Sequence, residues 1–257
     1  AFDYRFTAPD AGTYWYHSHE KSWEQVARGL YGPLIVEEDT PVAVDTEHMF
    51  IVDDWRLGDD GAITQDMGAL HDAAHGGRLG NWLTVNGLTA PKLEVRPGTR
   101  LRLRCISAAN ARIMAFRFPG VAVHVIAVDG QPVDVPETLE DALLLAPAQR
   151  TDLVIDIPSD AAGEIVIEEV STAEPVTAAS FNVRGAPIRN AAPSEMVRLP
   201  PNPLNGHSFD LDGALNVDLV MEGGAMGRLA EASYQGQLFD MRTLVQQKGQ
   251  VWAFNGE

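Results

Sequence analysis

Two of the seven histidines in this chain stand one residue apart, at the end of the β-prone, aromatic run "GTYWYHSH" that spans residues 12–19. In an extended strand, residues i and i+2 project from the same face. Trp15, His17 and His19 therefore fall in one row, with Tyr14, Tyr16 and Ser18 facing the other way. Two neutral imidazoles side by side are good ligands for copper or zinc. The bare H-x-H pattern fits a surface pair or a hydrogen-bonded core pair more often than a metal site.

The other candidates carry blander readings. His71 and His75, in "HDAAH", would share a helix face at i, i+4 and could chelate a metal, but they sit in a Gly-rich loop with no further ligands nearby and read as solvated. His124 lies in the alternating run "VAVHVIAV" and reads as an exposed or hydrogen-bonded ring, while His48 and His207 have no partners in sequence. Cys105, in "LRLRCISA", has no neighbouring histidine and reads as a small buried residue. Met221 and Met226 flank a Gly turn and read as packing residues; Asp53, Asp54 and Asp129 read as structural carboxylates at turns or strand ends. No Gly-rich stretch has phosphate-loop spacing.

The elements that must position these residues are short strands. With 23 glycines and 16 prolines in 257 residues, 45% of them hydrophobic, the composition suits many strands joined by turns and an all-β class. Phe2 to Phe6 and Thr13 to His19 read as two strands of a hairpin around the turn "APDAG", and "EKSWEQVARGL" as a helical turn or loop before the short strand "YGPLIVEE". Between residues 46 and 185, seven or more short strands separated by P-G, D-G, N-G and A-G turns read as a sandwich or Greek-key barrel. Residues 38–45 read as an acidic linker, and the Pro- and Asn-rich residues 186–214 as an extended one. The last stretch, 215–257, holds the strand "NVDLVME", a short helix "LFDMRTLVQQKG" and the strand "QVWAFNGE".

Two internal similarities order this list. "DYRFTAPDAGTYWYHSH" resembles "DLVIDIPSDAAGEIVIEEV", and alignment on Gly12 and Gly163 puts Glu168 and Val170 where the first copy has His17 and His19. "WLTVNG" at 82–87 likewise resembles "WAFNG" at 252–256. These repeats describe the tail of one β unit, a complete second unit and the opening of a third.

A formal charge of -17 repels phosphate backbones and argues against nucleic acid as a partner. No apolar run approaches the ~20 residues needed to span a bilayer. One cysteine rules out an internal disulfide framework.

"AGTYWYHSH" followed by "QVARGLYGPLIVEE" resembles the second histidine motif of the multicopper oxidases, the family of laccases and bacterial copper-resistance oxidases. "DDWRL", "WLTVNG", "VRPGTRLRLR", "AVDGQPV" and "LAPAQRTDLVID" resemble that family's middle domain, and "VWAFNG" its entry into the third. The resemblance implies cupredoxin-like Greek-key β-sandwich domains: 1–37 as the end of a first, 46–185 as a complete middle one, and 215–257 as the opening of a third; with Glu168 and Val170 in place of the imidazoles, the middle one is expected to hold no metal. It implies copper as cofactor, with His17 and His19 as ligands to the type 3 pair of a trinuclear cluster and neither acting as acid or base. It also implies dioxygen and a small reducing substrate, phenol-like or a metal ion, as partners, and a periplasmic or secreted location. The chain has no H-x-x-H-x-H or H-C-H motif, so the expectation is an incomplete portion of the oxidase, inactive alone. A non-catalytic cupredoxin-fold scaffold and a copper nitrite reductase-like enzyme are the alternatives.

Overall fold

The strand β6, Arg100–Ser107, shows how the central part of the chain folds: its sequence RLRLRCIS alternates, yet all eight residues are buried. Leu101, Leu103 and Cys105 point into an apolar core, where each is fully buried. Arg100, Arg102 and Arg104 on the opposite face are buried by carboxylates and not by apolar neighbours. The computed structural model describes residues 2–203 and 210–257. His207 lies outside the described residues.

Two sheets enclose the core. One runs in the order β4–β3–β6–β11–β8–β9, with β3 Thr46–Trp55, β4 Trp82–Val85, β8 Ala122–Val128, β9 Gln131–Thr138 and β11 Arg150–Asp156. The other runs β10–β7–β12–β13–β5, with β5 Lys92–Val95, β7 Met114–Arg117, β10 Leu143–Leu145, β12 Gly163–Glu169 and β13 Val176–Val183. Inward side chains such as Phe50, Leu153 and Ile155 from the first sheet meet Met114, Phe116, Ile167 and Phe181 from the second. Phe50 and Phe116 cross edge to face with ring centres 5.3 Å apart. The fold is all-β, a two-layer sandwich of the cupredoxin kind.

The expected hairpins take a different form. β11 and β12, read from sequence as one hairpin around "PSDAAG", belong to opposite sheets, so the connection between them is a corner over the end of the sandwich. Residues 2–9 form no strand, and β1, Gly12–His17, pairs antiparallel with β2, Tyr31–Val36. Phe2, Tyr4 and Phe6 stay largely exposed, so among the described residues nothing buries their apolar row. Between β1 and β2 lies the short helix α1, Ser22–Gln25, continued by a 3-10 turn over Val26–Arg28.

The proline-rich segment from 186 to 203 is extended but pinned. Val197 and Leu199 pack with Val42 and Val44 on Ile126 and Val154, on the outer face of the six-stranded sheet. Arg189 ties the segment to Asp45, and Arg100 donates to the Pro193 and Glu195 carbonyls. In the last part, β14 covers only Met221–Gly223, and "LFD" belongs to β16, Gln237–Asp240, paired with β15, Glu231–Tyr234, instead of to a helix. The helical turn α3, Met241–Thr243, starts after it, with the Asp240 carboxylate accepting from the Thr243 amide.

The second internal similarity is structural. β4 ends in Asn86-Gly87 and β17, Trp252–Phe254, ends in Asn255-Gly256, all four residues at positive φ. Asn86 accepts from the Ile51 amide and donates to the Met49 carbonyl; Asn255 accepts from the Val220 amide and donates to the Asp218 carbonyl. The same Asn-Gly corner is thus built twice.

Candidate metal centre

His17 is the last residue of β1, and His19 lies two residues beyond its end. The row read from the sequence is a continuous stack: Trp15 and His17 ring centres are 4.2 Å apart, His17 and His19 centres 4.8 Å. His17 Nδ1 lies 3.1 Å from the Ser18 carbonyl oxygen, which only accepts, so that nitrogen carries the proton and Nε2 keeps its lone pair. Neither Nε2 has a protein partner among the described residues. Two cofacial imidazoles, at least one with its tautomer fixed by the backbone and its outer nitrogen free, form a donor set that fits copper. Among the described residues no three His, Cys, Asp or Glu side chains converge as a metal cage, so the pair is part of a site and not a whole one.

The positions around the pair have distinct tasks. Ser18 contributes its carbonyl to His17, while its hydroxyl bridges to the Glu20 backbone. Tyr16 faces away and is exposed, lying across Gly32 on β2. Tyr31, the cross-strand neighbour of His17, meets the Trp15 ring edge at 6.2 Å and donates from its hydroxyl to Asp53 Oδ2 at 2.8 Å.

The sandwich grips this two-stranded piece at several points. Arg104 on β6 donates to the Thr13 hydroxyl at 2.9 Å, within a buried set in which Arg102 pairs with Glu38 and Asp152. Gly12 lies so close to Gly130 that an added Cβ would stand 2.5 Å from the Gly130 carbonyl oxygen. Asn202 bonds the Ala11 backbone on both sides and reaches the Gly130 carbonyl.

Asp53 is a structural carboxylate near the end of a strand, and a buried one. It lies within β3, is only 3% exposed, and its carboxyl is pushed up to about 7. Burial is the main cause and the Asp54 charge adds to it, while the hydrogen bond from Tyr31 opposes it. Burial, and then the Asp53 charge, raise the Tyr31 hydroxyl above its ordinary value. Asp54 accepts from Arg112 and the Gly80 amide. Sequence reasoning passed over Tyr31; only its place opposite His17 in a strand pairing could have drawn notice.

The remaining candidates fall as follows. Cys105 is buried, and burial pushes its thiol up. His124 shares a hydrogen bond with the Thr138 hydroxyl at 3.1 Å. His48 is half-buried, and desolvation lowers its pKa while a hydrogen bond with the Glu94 backbone opposes that. Asp129 occupies a positive-φ turn and accepts from the Arg150 amide. Glu168 and Val170 stand at the end of β12, away from any histidine pair.

With the sandwich and the histidine pair established, comparison with known proteins places the chain in a class. It belongs to the multicopper oxidase family: one family profile of that description matches residues 46–184 and a second matches 1–41. Among solved structures it is similar to a multicopper oxidase from Pseudomonas thermotolerans, at 33% identity and a TM-score of 0.76 over 86% of this chain and 51% of that one. Lac15 from a marine microbial metagenome is 40% identical, with a TM-score of 0.63 over 79% of this chain and 49% of that one. Multicopper oxidase MmcO of Mycobacterium tuberculosis is 31% identical over 182 residues, 60% of this chain and 35% of that protein. Cell division protein FtsP of Salmonella typhimurium is 31% identical over 152 residues, 57% of this chain and 32% of that protein. The chain therefore spans about a third of the length of these curated relatives. No helix among the described residues is long and apolar enough to cross a membrane.

Proposed function

We propose that this chain is part of a copper-dependent oxidase, periplasmic or secreted, in which His17 and His19 each ligate one copper of a type 3 pair. The observation that carries this reading is the stacked histidine pair with free Nε2 atoms, set within a segment that matches the family. Residues 1–37 then belong to a first cupredoxin domain, 46–185 form a middle domain that spaces its neighbours without binding metal, and 215–257 open a third. The remaining copper ligands come from other parts of the full-length protein.

The chemistry supplied when copper is bound is one-electron oxidation of a reducing substrate, phenol-like or a metal ion, coupled to reduction of dioxygen to water. The residues of this chain prepare that site without acting as acid or base. The Ser18 carbonyl fixes the His17 tautomer, and Trp15 covers one face of its ring. Arg104, Asp53 and Asn202 hold β1 and its neighbours against the sandwich, so the two imidazoles sit on a rigid support.

The test is oxygen uptake in the full-length protein, measured with the blue absorption band. His17→Ala or His19→Ala should leave a folded protein that keeps its blue band and accepts electrons from a reductant but no longer consumes oxygen. Near-normal uptake in both variants overturns the assignment. The likeness to FtsP favours a second reading, a scaffold that has kept the sandwich and lost its coppers. A full-length protein that binds no copper and consumes no oxygen would select it.

A further inference from the structure

The loop from 58 to 80 contains a second pair of imidazoles. Sequence reading leaves His71 and His75 solvated in a Gly-rich loop, but the structure winds the segment between them into the helical turn α2, Leu70–Ala74. The two rings come together on one side of it, with centres 4.2 Å apart and planes inclined by 20°. His75 Nδ1 lies 2.7 Å from the His71 carbonyl oxygen. It must therefore donate, which leaves Nε2 as the lone-pair nitrogen. The His71 side chain is 80% exposed; its Nδ1 lies 3.9 Å from Asp72 Oδ1, beyond hydrogen-bond distance.

A five-residue helix has no stability of its own, since nucleating the first turn is unfavourable. Here the turn is fixed from several sides, and the fixing points fall between the two histidines. Arg56 makes a two-pronged contact with Asp72 at 2.7 and 3.0 Å. The Trp252 indole donates to the Ala73 carbonyl at 2.7 Å, and the Ala225 amide to the Ala74 carbonyl at 2.8 Å. The Gly77 amide closes the turn on the Asp72 carbonyl. The rings thus stand cofacial on an anchored backbone and face solvent, and little ordering remains to be done when an ion binds.

We propose that His71 and His75 form a surface chelate for a late first-row divalent cation, copper(II) ahead of zinc(II). Imidazole nitrogen suits both ions, and copper(II) heads the affinity order for such donors. An acidic protein of formal charge -17 raises the local concentration of any cation. The site is separate from the pair at His17 and His19, and its exposure makes it a place where an ion exchanges with solvent. Met226, exposed and next to the Ala225 anchor, lies at the same end of α2.

The test titrates copper(II) and zinc(II) against the full chain carrying His17→Ala and His19→Ala, using a competing chromophoric chelator, with circular dichroism as the check on folding. One copper(II) per chain with a nitrogen-ligated paramagnetic resonance signal is expected, and zinc(II) should bind more weakly. Adding His71→Ala or His75→Ala alone should weaken copper binding by at least the ~10–100-fold that even a ligand's outer partners contribute. His124→Ala should change nothing. Unaltered affinity in either single variant, half-loss in each as for two independent rings, or no copper bound in the starting chain would overturn the proposal.

Discussion

Replacing Asp53 with asparagine isolates the electrostatic cost of holding the β1–β2 piece against the sandwich. Asp53 is 3% exposed, and its carboxyl is raised from 3.8 to about 7. At ~1.4 kcal/mol per unit, the ionised form is disfavoured in the folded protein by up to about 4 kcal/mol. Because the folded-state value lies above the unfolded one, the folded protein holds the extra proton between about pH 4 and pH 7. Stability from this group is therefore full below about pH 4, falls as pH rises through that window, and levels off above it. Asp53→Asn keeps an oxygen to accept from Tyr31 but carries no charge, so it removes the pH dependence and leaves the contact. Urea unfolding followed by tryptophan fluorescence, at steps from about pH 5 to pH 8, should show the variant gaining on the parent as pH rises, by about 2–4 kcal/mol at the top. Parallel stability profiles across that range would refute the reasoning.

Arg102→Met should cost about 3–5 kcal/mol in the same unfolding assay, because it strands the buried carboxylates of Asp152 and Glu38. Pairing it with Asp152→Leu should recover part of that loss. Gly130→Ala should cost about 1–3 kcal/mol, since φ there is +84 and the new Cβ would stand 2.5 Å from Tyr14 Cε1. Limited proteolysis should then show the β1–β2 piece released before the sandwich is cut.

Local pattern carried some of these features and not others. The alternation in "RLRLRCIS" marks a strand with Leu101, Leu103 and Cys105 inward, because period two is a property of the strand itself. It could not show that Arg100, Arg102 and Arg104 are also buried, since their carboxylate partners lie 48 to 64 residues away. "PSDAAG" marks a reversal of direction but not whether the next strand rejoins the same sheet; β12 crosses to the other because Ile167 faces the core from that side. The row of Trp15, His17 and His19 was legible from spacing alone, and the stack of rings follows it. Asp53 was legible as a carboxylate near a strand end, but its bond to Tyr31 was not, since Tyr31 comes from a different sheet. His71 and His75 were legible as an i, i+4 pair, but the anchors that make the turn helical come from Arg56, Ala225 and Trp252, far apart in sequence.

The twice-built corner at Asn86-Gly87 and Asn255-Gly256 also bears on how this protein ages. An asparagine followed by glycine is open to attack by the next backbone nitrogen on its side-chain amide, with loss of ammonia, because glycine has no side chain to obstruct the approach. At both corners the amide is gripped on two sides, its oxygen by one backbone amide and its nitrogen by a backbone carbonyl, which holds it away from that attack while the fold is intact. If the amide is converted to a carboxylate, the oxygen that replaces the donor faces the carbonyl of Met49 or Asp218, and the strand start loses a bond and gains a repulsion. Chemical wear at these corners and loosening of the strands they close therefore reinforce one another, and the native fold itself sets the rate at which that cycle begins.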